Sequence, residues 1–214
     1  MYILITAGGT REYIDPVRFI SNASSGKMGY ALARAALKAG HKVTLITAPT
    51  TQRPPDVTKI VNVETTAEMC EAAKKFFDRC DCLIMAAAVA DYTVIHSAKT
   101  KLKKSDTCLT IELKPTPDIL EWAGKNKKAK GKRKIVVGFA LEDKAVCANA
   151  EKKLRDKNLD MIIANSPAAI GSDRSDVHIK IPDSPWIKIE NAAKAATARM
   201  IVALAEKLHA AKLK

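Results

Sequence analysis

The sequence is short of the residues that build metal, redox and base-stacking sites. Its aromatics are two Trp, four Tyr and four Phe, only 5% of 214 residues, so a stacking surface for nucleic-acid bases has little to be made from. The histidines (His41, His96, His178, His209) are scattered, and the cysteines (Cys70, Cys80, Cys82, Cys108, Cys147) form no C-x-x-C pair. Nothing has the spacing of an imidazole or thiolate metal centre, and an odd cysteine count without a secretion signal points to reduced thiols. Cys80 and Cys82 stand two apart at the start of a strand-like run and are expected on one side of it, as core thiols. No apolar run approaches the roughly 20 residues of a membrane helix, and the N-terminus opens on the strand-like "YILITAG" in place of a basic leader. A soluble, cytoplasmic protein is expected, with one domain over residues 1–214.

Acidic residues are also under-represented, 23 against 36 Lys and Arg, for a net charge of +13. Residues 1–100 carry 12 basic and 9 acidic groups and residues 101–214 carry 24 and 14, so the excess, +3 against +10, lies in the second half. Seven of those cations fall in "KNKKAKGKRK" (125–134). Such a run is ordinarily a solvated loop, and without interleaved aromatics it is a weak sign of nucleic-acid binding.

What is present is an alternation of β-branched runs and amphipathic stretches. The strand candidates are "YILITAG" (2–8), "KVTLITA" (42–48), "KIVNVE" (59–64), "CLIMAAAV" (82–89), "LTIELK" (109–114), "KIVVGFA" (134–140) and "MIIAN" (161–165). A helix is predicted from about Gly26 to Ala39. A second should open at Thr65 with Glu68 in a capping box, and a third at Thr116 with Pro117 in its first turn. Continuous apolar strands are buried on both faces, which implies helices above and below a mainly parallel sheet: an α/β, Rossmann-like doubly wound fold. "VHIKI" (177–181) and "WIKIE" (186–190) should add a hairpin at one edge, followed by an Ala-rich helix within 191–212. Ligands of such folds sit at the carboxyl ends of the strands, where "AGGT", "AAAVAD", "GFALED" and "AN" should converge.

The nucleotide motifs that this fold usually carries are missing. A P-loop needs a glycine five residues before Gly26 and a hydroxyl after the lysine; the sequence has Ser21, and Met28 follows Lys27. A dinucleotide site needs G-x-G-x-x-G after the first strand and an acid ending the second, and neither "AGGTRE" nor "TLITAPT" supplies them. An NAD(P)-dependent reductase and a basic nucleic-acid module therefore stay as alternatives only. What the sequence offers is a turn at Gly8 and Gly9, then a helix start in "SSGKMG". There Ser24, Ser25 and Gly26 are small enough for a phosphate to reach free amides, with Lys27 alongside; ordinary N-capping by either serine is the alternative.

The ordered set "ITAGGTREYIDPVRFISNASSGKMGYALA" (5–33), "AAAVADY" (86–92), "KLKK" (101–104), "PDIL" (117–120), "VVGFALE" (136–142) and "KNLDMIIAN" (157–165) resembles the bacterial phosphopantothenate-cysteine ligases. With Met1 directly on the first strand, the resemblance implies a freestanding ligase without the flavin decarboxylase domain. It implies CTP as co-substrate with Mg²⁺, whose ligands it leaves unassigned, and no flavin. The carboxylate of phosphopantothenate would be activated as an acyl-cytidylate and then joined to L-cysteine, in coenzyme A synthesis. By resemblance, Asn22 meets the acyl carbonyl, Arg18 serves the same loop and Lys101 meets the triphosphate. Gly8, Gly9, Ser24 and Ser25 would lie at the nucleotide, Met85, Ala86 and Ala87 give it backbone contacts, and Asp91 takes the ribose hydroxyls. Pro117, Asp118, Ile119 and Leu120 would present helix-start amides, Phe139 would line the base pocket, and Lys153 and Lys157 would bind phosphate. The resemblance also implies a homodimer, with residues 92–115 as its contact or a lid. The pattern departs at Ala23, at Pro115 and Thr116, and at Ser175.

Overall fold

A computed structural model describes residues 1–128 and 134–212. In chain order its elements are β1 (Tyr2–Ala7), β2 (Arg11–Tyr13), β3 (Phe19–Ser21), α1 (Lys27–Lys38), β4 (Lys42–Thr47), β5 (Lys59–Asn62), α2 (Thr66–Phe77), β6 (Cys82–Met85), β7 (Tyr92–Val94) and β8 (Leu113–Pro115). They continue with α3 (Ile119–Asn126), β9 (Ile135–Leu141), α4 (Val146–Asp156), β10 (Met161–Asn165), β11 (Arg174–Lys180), β12 (Ile187–Ala193) and α5 (Lys194–Lys212). Eight strands form one sheet in the order β12-β11-β10-β9-β6-β1-β4-β5. The six from β10 to β5 are parallel, and β11 with β12 is the expected antiparallel edge hairpin.

Successive strand residues point to opposite faces, so each strand feeds two cores. Ile3, Ile5, Val43, Leu45, Ile84 and Val137 pack with α1 and α5, while Leu4, Ile46, Leu83, Val136 and Ile162 pack with α2, α3 and α4. From β1 the chain moves outward through β4 and β5, then returns to place β6, β9 and β10 on the other side. The reversal falls between β1 and β6, and that is where a crevice opens at the strand tips.

Several elements differ from the sequence reading. Thr116 does not cap α3: its amide and hydroxyl go to the carbonyls of Asp91 and Ala90, and Asp118 is the N-cap, accepting from the Glu121 amide at 2.8 Å. A carboxylate reaches the third amide better than the hydroxyl two residues earlier can. The Thr65–Glu68 capping box forms as expected. Of "LTIELK" only its end is strand: Leu109 is 63% exposed, Glu112 only accepts the Ile95 amide at 3.0 Å, and the strand proper begins at Leu113 against Val94. β6 stops at Met85, because residues 86–90 leave the sheet to join the loop after β1. Cys80 and Cys82 do not share a side. Cys80 precedes the strand, in the turn after α2, and packs with the α2 core, whereas Cys82 faces the α1 and α5 core.

The basic run is less solvated than its composition suggests. Residues 129–133 lie outside the described residues, but Lys127 and Lys134 are each 2% exposed. Lys127 pairs with Asp160 at 2.9 Å, a carboxylate shared with Lys212 at 2.6 Å, and Lys134 gives its protons to the carbonyls of Asp78 and Cys80 over the Phe77 ring. These anchors sit opposite the crevice, at the amino ends of the strands.

Burial pushes the Cys80 thiol up to about 12 and raises that of Cys82 well above its ordinary value, so neither forms thiolate near neutrality. Cys70 is also buried, while Cys108 is exposed and Cys147 partly so. Titration of the native protein with a thiol reagent is expected to modify Cys108 first and Cys147 next. The other three should react only after denaturant is added, and rapid native modification of Cys82 would contradict this core.

Candidate active site at the strand tips

The floor of the crevice is made by two loops that continue the sheet's pairing after the strands end. Ala88 donates its amide to the Gly8 carbonyl (2.8 Å), Thr10 to the Ala88 carbonyl (3.3 Å), and Gly9 and Ala88 form a parallel bridge. The Thr6 and Thr10 hydroxyls accept the amides of Ala87 (3.2 Å) and Ala90 (2.9 Å). The predicted group Gly8, Gly9, Ala86 and Ala87 is thereby brought together, with Met85 turned inward so that its sulfur accepts from Thr6. The Ala87 amide is already taken by Thr6, which removes it from the groups a ligand can use. Gly9 is required by proximity: a Cβ there would stand 2.9 Å from the Asn22 carbonyl oxygen.

The residues between β1 and α1 form a hairpin, β2 against β3, that carries the chain back over the crevice. Asn22 leaves β3 and spans the gap, its Nδ2 donating to the Val89 carbonyl at 3.1 Å. One amide proton and the carbonyl oxygen of this exposed side chain remain available. Ser24 and Ser25 follow, and neither caps α1 through its hydroxyl. The helix starts from Gly26 at φ 73° with no side-chain cap and no acid in its first turn. Its first amides are therefore open to an anion, unlike those of α2 and α3, which side chains satisfy. Lys27 does not reinforce the cradle: its ammonium binds Asp173 at 2.6 Å and the Gly171 carbonyl at 2.9 Å.

Arg18 is engaged by protein. Its Nε and Nη2 both reach Asp15, at 2.9 Å for Nε, and Nη2 also meets the Leu102 carbonyl at 2.6 Å. Asp15 is fully buried; burial pushes its carboxyl up, but Arg18 and the amides of Val17, Arg18 and Leu102 override this and hold it well below the usual carboxylate range. A carboxyl lowered by folding adds stability above its unfolded value near ~4, and that contribution fades as the pH drops further. The contact therefore stays closed at neutral and mildly acidic pH. Lys101 adjoins it and is exposed.

On the far side of β6 a second group gathers. Lys153 donates to the Phe139 carbonyl at 3.0 Å, and Lys157, at the end of α4, reaches Asp118 at 2.6 Å. Burial lowers the Lys153 ammonium below its ordinary value, and Lys157 adds to the effect, against the pull of Glu142, Asp118 and Asp91. Asp118 is lifted by burial and brought below its ordinary value by Lys157 and the Glu121 amide. The structure thus joins Lys153 to Phe139 and Lys157 to Asp118, with Asp91 near enough to act on the Lys153 charge. The amides of "PDIL" are less free than expected, because Asp118 caps its own helix.

Residues 1–208 match the family described as the DNA/pantothenate metabolism flavoprotein C-terminal domain. The chain belongs to this family. It is similar, at 49% identity over 166 residues, to the cysteine/cysteine sulfinic acid decarboxylase of an unknown prokaryotic organism, with 77% of this chain and 45% of that protein covered. It is 46% identical over 172 residues to the coenzyme A biosynthesis bifunctional protein CoaBC of Bacillus subtilis (strain 168), covering 80% of this chain and 41% of the relative. The chain spans less than half the length of both relatives. Among solved structures, the C-terminal domain of CoaBC superposes with a TM-score of 0.81 at 37% identity, over 97% of this chain and 94% of that one.

The sequence reading missed Asp15, Glu12 and Thr10 of this family member. Asp15 precedes a proline, a turn signal that also suits a buried acceptor. Glu12 is 4% exposed and accepts the Thr66 amide at 2.8 Å, tying the β2–β3 hairpin to the start of α2. No local pattern marks Glu12, because its partner is 54 residues away.

Among the described residues no helix is long and apolar enough to cross a membrane, and no group of three or more His, Cys, Asp or Glu is arranged to hold a metal.

Proposed function

We propose that this chain joins phosphopantothenate to L-cysteine, using CTP to form an acyl-cytidylate with release of pyrophosphate and then CMP. The observation that carries the reading is Asn22 lying across the β1–β6 crevice beside the uncapped start of α1. In the first step a carboxylate oxygen attacks the α-phosphorus and pyrophosphate leaves. In the second, the cysteine nitrogen attacks the acyl carbon, loses its proton, and CMP departs. Both steps need aligned reactants and neutralised charge more than a protein nucleophile, which suits a site with a neutral amide, helix amides and lysines.

In this reading the first amides of α1, with Ser24 and Ser25, hold phosphate oxygens, and Lys101 meets the triphosphate. Lys153 and Lys157 supply further positive charge, and Lys153, being desolvated, gains most when an anion arrives. Asp91 accepts the ribose hydroxyls, with Phe139 and the start of α3 beside the base. Mg²⁺ arrives with the CTP substrate. A homodimer fits the apolar side chains left outside on the strand pairs, Phe19, Ile20, Tyr92 and Leu113 among them. Sedimentation showing a fully active monomer would remove that part.

The deciding assay incubates the protein with phosphopantothenate, cysteine, Mg²⁺ and each nucleoside triphosphate in turn, following pyrophosphate and product. CTP is expected to work best, and Lys101→Gln to cut pyrophosphate release to a small residual rate. Failure with every nucleotide would refute the reading, and loss of cysteine without nucleotide would favour a decarboxylase.

A further inference from the structure

Residues 95–112 leave the body of the protein between β7 and β8 and contain no helix or strand. The segment touches the β2–β3 turn at two points. One is backbone pairing at Ile14, whose carbonyl accepts the Ala98 amide at 2.8 Å. The other is Leu102, whose amide donates to Asp15 Oδ2 at 3.1 Å while its carbonyl accepts from Arg18. Asp15 receives five hydrogen bonds in all. Oδ1 takes the amides of Val17 (2.8 Å) and Arg18 (2.9 Å), which shapes the turn, and Oδ2 takes Arg18 and Leu102. A single buried carboxylate therefore joins the turn that leads through β3 to Asn22 with the residue next to Lys101.

We propose that Asp15 is a positioning residue: by gripping the Leu102 amide and orienting Arg18 onto the Leu102 carbonyl, it fixes the backbone at Lys101 relative to the strand that ends in Asn22. This rests on the ligase reading for its consequence, which is that activation and aminolysis share one aligned cleft. Arg18 then acts through its grip on the segment, and its guanidinium is directed by Asp15 in place of a substrate anion. Only an acid fits. An amide at position 15 turns a donor toward the Leu102 amide, the Arg18 guanidinium or the turn amides, and one side of the contact must open.

The test uses Asp15→Asn and Leu102→Pro; the proline removes the amide donor together with the leucine side chain and fixes φ at 102, and it leaves Asp15 with Arg18. Limited trypsin digestion reads the segment through Lys99, Lys103 and Lys104, since the bond after Lys101 resists trypsin in the second variant, where proline follows it. Both variants are expected to be cut there at least roughly tenfold faster than wild type, at temperatures where thermal unfolding shows them folded. Pyrophosphate release is expected to fall by about 10- to 100-fold. In a Lys101→Gln background, adding Asp15→Asn should change the residual rate less than about threefold, since the lysine it positions is already gone. Losses that multiply would mean a general structural role and overturn the inference, as would wild-type cleavage in both variants. If wild type itself turns over no nucleotide, the ligase reading fails, and the digestion alone still decides whether Asp15 holds the segment.

Discussion

Asn22→Ala is expected to keep forming the acyl-nucleotide and to make the amide roughly 100- to 1,000-fold more slowly. Removing one oriented donor from a developing oxyanion costs about 3–4 kcal/mol of transition-state stabilisation, and the charge on the acyl oxygen develops only when cysteine attacks. Pyrophosphate should therefore appear in a burst near one equivalent of enzyme, with product lagging behind. Stability should hardly change, because the side chain is exposed and gives up one hydrogen bond, to Val89, a net loss of about 1 kcal/mol or less. Asn22→Asp separates shape from chemistry. It keeps the volume but sets a carboxylate against the Val89 carbonyl and the oxyanion, so its amide-forming rate should fall at least as far. Quench-flow measurement of both products decides the matter: unchanged turnover in the alanine variant removes Asn22 from the reaction.

Much of this arrangement was legible in the sequence, for reasons that are local. Continuous apolar runs such as "CLIMA" and "MIIAN" have to be buried on both faces, and that alone sets the layered sheet and the crevice at its tips. The α1 start could be placed because small residues crowd before an amphipathic stretch. What stayed hidden depends on partners far along the chain. Arg18 reads only as a residue serving the Asn22 loop until Asp15, three residues earlier, and Leu102, 84 residues later, are seen to occupy its fork. Lys127 and Lys134 read as solvated because composition cannot reveal Asp160 or the carbonyls beneath them. The strand over 109–112 failed for a related reason: alternation permits a strand, but only a neighbour with free backbone groups makes one.

Gly29→Ala sets two opposing effects of known size against each other and shows how tightly the site is tied to the core. Gly29 lies in the first turn of α1, where alanine should stabilise an isolated helix by about 1 kcal/mol. In the folded protein a Cβ at 29 would stand 2.5 Å from the Ala7 Cβ and 3.0 Å from both the Ala7 Cα and the Thr6 carbonyl oxygen. Carbon atoms pack at roughly 3.5–4.0 Å, and none of these neighbours is a side-chain end that can rotate away, so α1 has to lift from β1 by about 1 Å. Overpacking of this kind costs roughly 1–3 kcal/mol, and the lift also strains the packing of α1 on α5, so the penalty should exceed the helix gain. A net loss of about 1–2 kcal/mol corresponds to a fall in melting temperature of roughly 2–8 °C for a chain of this size. The displacement begins one turn from Ser24, Ser25 and Gly26, so the phosphate cradle moves with it, and nucleotide binding should weaken even where the variant is fully folded. Gly29→Val, bulkier and stiffer, should unfold at still lower temperature. A Gly29→Ala protein that melts higher than wild type and binds CTP normally would show that α1 does not rest on β1 as described, and the cradle would then have to be held by something else.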